Sequence, residues 1–318
     1  MGAGDGAVRT PSADRLIAVS AVRSGGKLRL PRQVDTAEAL QRISGAALAH
    51  LLANAPAAGA GDAEGVHQMR VALRRQRAAM ALFAPLLEAP AAPAAAGLRR
   101  LGRVFGSARD WDVFCLRTLP HAIRELPLVD SLHLLAQAAG PRRQAAHWRM
   151  QEELEGRDLG GVVLLLAAWS EGAAAAPLPG RSGAKPMRTL APRLLHRLAA
   201  KVARRGSHMR RRSGAELHRL RKSLKKLRYG AEDLAGLYDR KRTRSYLRRC
   251  KQVLDLLGAI NDAAVTERLS GELGRDGAAE LAPALAALGR WNDARREQSL
   301  RRLEKAWTRL REASPFWS

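Results

Sequence analysis

The sequence predicts an all-α protein built as two four-helix bundles related by internal duplication. Three observations predict this fold class. Apolar residues recur at helical spacing through most of the 318 residues. No alternating runs of β-branched residues lie between these segments. A pattern of His and basic residues beginning at His67 also occurs a second time beginning at His218, 151 positions later.

Composition supports a folded, strongly cationic chain. There are 55 Lys and Arg against 30 Asp and Glu, which gives a formal charge of +25, and 46% of residues are hydrophobic. That apolar share excludes a disordered polycation. The apolar run from Val162 to Trp169 is far shorter than the roughly 20 residues that span a bilayer, so no membrane insertion is expected. Two cysteines exclude a disulfide framework and favour a reducing, cytoplasmic location.

The first half is predicted to occupy residues 36–170. Residues 1–35 contain Gly, Ser and Pro without a sustained period and are predicted to be a flexible N-terminal tail. Asp35 and Glu38 then form a helix start, followed by Leu40, Ile43 and Ala47 at helical spacing. Further helices are predicted at residues 64–88, 94–118, 128–139 and 142–157.

The second half is predicted to occupy residues 187–312, after a linker at 171–186 that is rich in Ala, Gly and Pro. Helices are predicted at residues 187–205, 215–238, 242–257, 262–273 and 278–311. Ser213 and Glu216 form a capping box before the second of these. Residues 313–318 are predicted to be a C-terminal tail.

Two motif pairs carry the repeat. The first reads His-x-x-Arg-x-x-x-B-B-x-Arg, with B basic, at residues 67–77 and 218–228. The second pairs residues 99–110 with 251–262, where Gly106 or Gly258 is predicted to break a helix. Asp110 and Asp262 follow these breaks and are predicted to be N-caps.

In both copies the basic residues form one helical stripe beside the apolar stripe. A basic stripe that borders the core points into a groove or seam between helices, where lower dielectric strengthens charge interactions. Four cations at positions i, i+3, i+7 and i+10 cover roughly 15 Å of helix. This arrangement suits a linear polyanion, because Arg contacts phosphate oxygens in a bidentate manner.

The motifs VHQMRVALRRQR with LHRLRKSLKKLRY, and FGSARDWDV with LGAINDAAV, resemble those of the CHAD (conserved histidine α-helical domain) family over about residues 36–312. The resemblance implies two four-helix bundles related by a pseudo-two-fold axis, around a basic central groove or pore that binds inorganic polyphosphate. The implied binding residues are His67, Arg70, Arg74, Arg77, Arg99, His218, Arg221, Lys225, Arg228 and Lys251. Weaker candidates are Arg75, Arg103, Lys222, Lys226 and Tyr229.

The predicted function is therefore non-enzymatic binding of inorganic polyphosphate, with recruitment to polyphosphate granules. Protonation of His67 and His218 is expected to strengthen binding below about pH 6.5. One alternative is non-specific nucleic-acid binding at low salt. A less favoured alternative is a phosphohydrolase or phosphotransferase. The sequence contains no P-loop, no Cys-x-x-Cys and no paired His for a metal, so neither metal nor cofactor is predicted.

Overall fold

The computed structural model describes residues 22–26, 28–86, 92–175, 184–209, 212–276 and 279–318. The regular secondary structure of these ranges is helical, apart from one isolated bridge between Asp35 and Pro186, and the all-α prediction is confirmed. The helices of the first half are α1 (Thr36–Gly59), α2 (Ala63–Phe83), α3 (Ala92–Val113), α4 (Leu119–Glu125), α5 (Ser131–Glu155) and α6 (Arg157–Ala175). Those of the second half are α7 (Met187–Gly206), α8 (Gly214–Asp233), α9 (Arg240–Asp276) and α10 (Ala282–Arg311).

The described part of the first half thus has six helices where a four-helix unit was predicted. A π-helical segment, Phe114–Thr118, separates the short α4 from α3, and α6 follows directly on α5. The described part of the second half has four helices, as a four-helix unit requires, because α9 joins the two segments predicted at 242–257 and 262–273. Whether the halves arose by duplication stays a prediction.

Three predicted breaks lie inside continuous helices. Helix α3 runs through Gly106, α5 runs through Pro141, and α9 runs through Gly258 for 37 residues. Glycine costs a helix about 1 kcal/mol relative to alanine. Here buried residues on both sides of Gly258, among them Leu254 and Ile260, hold the helix through it. Tertiary packing therefore overrides the local signal.

Side-chain caps fix where the helices of the site begin. Asp35 accepts a hydrogen bond from the amide of Glu38 at α1, and Asp62 does the same for Gly65 at α2. At α8 the predicted capping box is confirmed, with Ser213 and Glu216 bonded in both directions. Gly65 is needed for a second reason, since a Cβ there would lie 2.8 Å from the backbone nitrogen of Ala58. Because Gly65 has no Cβ atom, α1 and α2 can approach closely.

The buried apolar residues form three core clusters, and two of them join the halves. The first combines α7, α8 and the adjoining ends of α9 and α10 with parts of α1 and α2. The second lies within the first half and is built from α1, α2, α3, α5 and α6. The third packs Trp111, Phe114 and Leu135 of the first half against Leu269 and Leu288 of the second.

Parts of both predicted tails are packed, which corrects the prediction. Residues 1–21 lie outside the described residues, but Leu30 and Val34 are buried in the first core cluster. At the other end Phe316 and Trp317 are only 3% and 2% exposed. Apolar side chains in short flanking segments gain more from burial than the segments lose in chain entropy.

The predicted linker contains residues 176–183, which lie outside the described residues. The residues before them, 171–175, continue α6. After them, Lys185 accepts hydrogen bonds at its carbonyl from both the backbone nitrogen and the side chain of Thr36. In the described ranges no helix is long and apolar enough to cross a membrane.

Candidate functional site

A cavity of about 1000 Å³ lies where α2 and α3 of the first half face α8, α9 and α10 of the second. Its described lining is strongly cationic, with eleven Arg or Lys side chains against three Asp. A concave surface with charges of one sign concentrates the electrostatic potential inside it. The cavity therefore carries a surplus of positive charge on its described lining.

Five of the ten predicted binding residues line this cavity, namely His67, Arg70, Arg74, Arg221 and Lys225. They meet because α2 and α8 bury their adjacent apolar stripes, which include Met69 and Leu220. The basic stripes beside them are thereby turned toward each other. This placement agrees with a basic stripe that borders the core.

The other five predicted residues lie outside the cavity lining. Arg228 and Lys251 pair with carboxylates one helical turn later, at 2.8 Å and 2.6 Å. Arg77 lies against α3, with Nη1 3.6 Å from the Cβ position of Gly102, and its charge neighbour is Arg99.

His218 lies behind the cavity wall, bonded through Nδ1 to the side chain of Asn261 at 2.7 Å. Asn261 itself lines the cavity. His218 therefore holds a residue of the lining in place without lining the cavity.

The weaker candidates also lie outside the lining. Arg75 pairs with Glu232 and Asp233 of α8, and its guanidinium lies 5.3 Å from the ring centroid of Tyr229. Lys222 and Lys226 have Arg77 and Arg205 as their nearby charges. Arg103 is exposed. A second basic cluster thus exists on another part of the surface.

Asp110 and Asp262 are not N-caps, because they lie inside α3 and α9. Asp110 pairs with Arg70 at 3.2 Å and with Arg268 at 3.1 Å. Burial raises the pKa of Asp262, opposed by the charge of Arg221. Both carboxylates line the cavity and act on its cations.

In the first half, Arg70 is held in place before any ligand arrives. Its Nη1 donates to the carbonyl of Gly106 at 2.7 Å and to Asp110 at 3.2 Å. Arg109, almost fully buried, donates to the carbonyl of Ala63. Burial, together with the charge of Arg109, lowers the pKa of His67 to about 4.

In the second half, the cations have fewer partners. The buried Nε of Arg221 has no hydrogen-bond partner among the described residues. Burial and the charges of Arg221, Arg74 and Arg70 lower the pKa of Lys225 to about 6. Burial also lowers the pKa of His218. Neither histidine therefore supplies the positive charge that we expected near pH 6.5.

Sequence reasoning missed the wall formed by α10. Arg295, Arg302, Lys305 and Arg309 of this helix line the cavity. Their spacing of seven, three and four residues places them on one helical face. This periodicity is visible in the sequence, although the basic run resembles a solvated face.

The π-helical segment adds Arg117 and Thr118 to the lining. Local π-helical turns are frequent at functional sites. Arg117 also belongs to the charges that lower the pKa of His67 and Arg109. The segment thus adds to the positive potential of the first-half side.

One rim of the cavity carries a polar and aromatic cluster. Glu125 accepts hydrogen bonds from Trp291 and His121, each at 2.7 Å. The guanidinium of Arg295 lies 4.7 Å from the Trp291 ring centroid. These contacts hold Trp291 in place and cover part of its ring.

The described residues include no group of three or more His, Cys, Asp or Glu placed to hold a metal ion. What the cavity offers is guanidinium and ammonium donors on several sides. Such donors bind phosphate oxygens through charge-assisted hydrogen bonds.

Comparisons with known proteins agree with this arrangement. A family model described as CHAD domain matches residues 42–271. The crystal structure of the CHAD domain from the plant Ricinus communis is similar, with a TM-score of 0.79, 28% identity, and 91% of this chain and 96% of that chain covered. PptA from Streptomyces chartreusis shares the fold, with a TM-score of 0.66, 18% identity, and coverage of 86% and 100%. No curated protein matches by sequence.

Proposed function

The chain belongs to the CHAD family, and we propose that it binds inorganic polyphosphate in the cavity without changing the polymer chemically. The observation that carries this proposal is the meeting of the two basic stripes. Arg70 and Arg74 of α2 and Arg221 and Lys225 of α8 lie in one cavity. A polymer with a charge on every unit contacts all four at once.

The surplus of cations favours a ligand with many charges over a single phosphate. With eleven Arg or Lys against three Asp in the described lining, a monophosphate neutralises only a small part of the potential. Helix α10 extends the cationic surface by 14 residues from Arg295 to Arg309, roughly 21 Å at helical rise. A linear polyanion follows this wall.

The aromatic residues do not favour a single-stranded nucleic acid. Such binders use open aromatic faces on which bases stack. In the described cavity lining, Trp291 is the one Trp, Tyr or Phe, and Arg295 lies over its ring. Tyr229, which is outside the lining, is covered by Arg75.

The surroundings of the histidines support binding without catalysis. A general-acid or nucleophilic histidine is commonly oriented by a carboxylate. His218 is instead bonded to the amide side chain of Asn261. The charge that most affects His67 is the guanidinium of Arg109. Recruitment to polyphosphate granules follows as a consequence of binding.

Titration calorimetry with long-chain polyphosphate and with duplex DNA of matched charge tests the proposal, at about 150 mM and about 400 mM salt. We expect polyphosphate binding to survive the higher salt and DNA binding to disappear. Polyphosphate recovered after incubation should keep its length. Equal affinities that collapse together would indicate a diffuse basic surface, and released phosphate would indicate an enzyme.

A charge-matched pair of variants assigns the site. The first changes four lining residues to Ala, at Arg70, Arg74, Arg221 and Lys225. The control changes four exposed residues outside the lining to Ala, at Arg240, Lys241, Arg244 and Arg248. We expect only the first variant to lose binding while its circular dichroism stays helical. Equal losses would refute the cavity as the site.

A further inference from the structure

Lys225 has an unusual position among the lysines of the cavity. It is half-buried and shares the cavity lining with Arg70, Arg74 and Arg221, whose charges lower its pKa. No hydrogen bond or ion pair joins it to an acid among the described residues. Asp262 raises the pKa of Lys225, but its effect is smaller than that of each of the three cations.

We propose that Lys225 is a self-acylation site that reacts with acyl phosphates bound in the cavity. The inference rests on the proposed function, because the cations that hold polyphosphate are the ones that must hold the phosphate group of the acyl donor. Arg70, Arg74 and Arg221 supply that binding from two helices. Lys225, on the same cavity surface, supplies the nucleophile.

A lysine reacts as a nucleophile only in its neutral form. Burial and the adjacent cations lower the pKa of Lys225 to about 6, so much of it is neutral at pH 7. The groups that face it are Arg221 on α8, Arg70 and Arg74 on α2, and Asp262 on α9. Asp110 of α3 is paired with Arg70.

The reaction needs no further reagent. The Nζ lone pair forms a bond to the acyl carbon, and the bond between that carbon and the bridging oxygen breaks. Inorganic phosphate leaves with the bonding electrons, stabilised by the guanidiniums. The amine proton passes to water, and an amide remains on Lys225.

Acylation also has a consequence for the cavity. An amide carries no charge and fills space beside Arg221 and Arg74. The modified protein therefore loses an amine that would become charged when the polymer binds, and it loses part of the room for the polymer. Acylation of Lys225 lowers polyphosphate affinity, so the site connects binding to the supply of acyl phosphates.

Other lysines provide internal comparisons. Lys251 is paired with Asp255 at 2.6 Å and lies outside the cavity lining. Lys241 is exposed at the start of α9. Lys226 is also desolvated near cations, but it lies outside the cavity lining. If the cavity promotes acylation, Lys225 should react faster than these three lysines.

The test is incubation of the full chain with acetyl phosphate at about pH 7.5, followed by quantitative peptide mass spectrometry. We expect Lys225 to be acetylated at least about tenfold faster than Lys241 and Lys251. Polyphosphate added beforehand should protect it. An uncharged acylating ester should show much less preference for Lys225, because the cations then have no phosphate to hold.

Two variants complete the experiment. Lys225→Arg should leave no dominant site of reaction, whereas Lys241→Arg should leave the reaction at Lys225 unchanged. If Lys225 reacts no faster than the exposed lysines, or Lys226 reacts first, the inference is wrong. Polyphosphate binding with an unreactive Lys225 would refute the inference alone. Acetylation of Lys225 without polyphosphate binding would refute the proposed function alone.

Discussion

The two sides of the cavity carry corresponding residues in different states. On the first side Arg70 is bonded to Gly106 and Asp110. On the second, the matching Arg221 has a buried Nε without a partner among the described residues. Arg70 is therefore already engaged by protein groups, whereas Arg221 keeps a buried donor that is unpaired among the described residues.

The corresponding histidines, His67 and His218, also have different neighbours. His67 lies near the buried guanidinium of Arg109, whereas His218 is bonded to Asn261, the residue that corresponds to Arg109 in the repeat. One exchange in the motif thus changes a histidine's neighbour from a cation to an amide. Similar motifs therefore do not guarantee equal contributions to binding. We expect the second side to supply more of the affinity.

The largest expected effect is a difference in polyphosphate affinity between the Arg221 and Arg70 variants. Arg221→Ala should weaken polyphosphate binding at least about tenfold, because a new charge-assisted hydrogen bond is lost. Arg70→Ala should cost only about threefold, since the Arg70 guanidinium already donates to Asp110 and to the carbonyl of Gly106. Calorimetry measures both, with Lys241→Ala as the control because Lys241 is exposed and lies outside the cavity lining. Equal losses for Arg70 and Arg221 would remove the asymmetry.

A smaller effect is the pH dependence that Lys225 contributes. Its pKa is about 6 in the free protein, and a bound polyanion raises it toward the ordinary lysine value. Binding therefore takes up a proton, so affinity should fall as pH rises above about 6. We expect a loss that approaches about tenfold between pH 7 and pH 8, because nearly one proton is taken up in this range.

Lys225→Arg should flatten this dependence, because arginine stays charged throughout. Calorimetry in buffers of different ionisation enthalpy counts the protons taken up. An unchanged slope in this variant would assign the titration to another group. The wild-type slope should not come from His67, whose pKa is about 4.

The smallest expected effect is a change in the pKa of His67. Arg109→Asn, which gives the first side the residue found in the second, should raise the pKa of His67 from about 4. The value should stay below 6.5, since burial is the larger cause. Titration of the ring proton resonances by NMR measures this change, with His67→Ala to assign the signal. An unchanged pKa would show that Arg109 does not act on His67.

Helical periodicity predicted the parts of the fold that depend on local sequence. The helix predicted at residues 187–205 is observed as Met187–Gly206, and the Ser213 capping box is present. Periodicity could not predict that α9 continues through Gly258. That outcome depends on packing against helices distant in sequence. The same limit applies to Asp262, which becomes a cavity residue instead of a cap.

The site was predicted in part for a similar reason. Spacing along α2 identifies the face that carries Arg70, Arg74 and Arg77, but not the point where α8 crosses it. Arg77 lies on the predicted face of α2 but outside the cavity lining, because α8 crosses α2 elsewhere. The α10 wall was missed because its residues, such as Arg302, belong to neither motif pair.

Helix α9 has a consequence for how the molecule can be divided. Its 37 residues run from the first core cluster, past the cavity, to the third. A fragment that begins at Met187 would leave Leu269, Leu273 and Leu288 without Trp111 and Phe114 to cover them. The chain is therefore expected to behave as one cooperative unit in folding and recombination. Two halves expressed separately would each expose apolar side chains of the first and third core clusters. They would bury these side chains again only by reassociating.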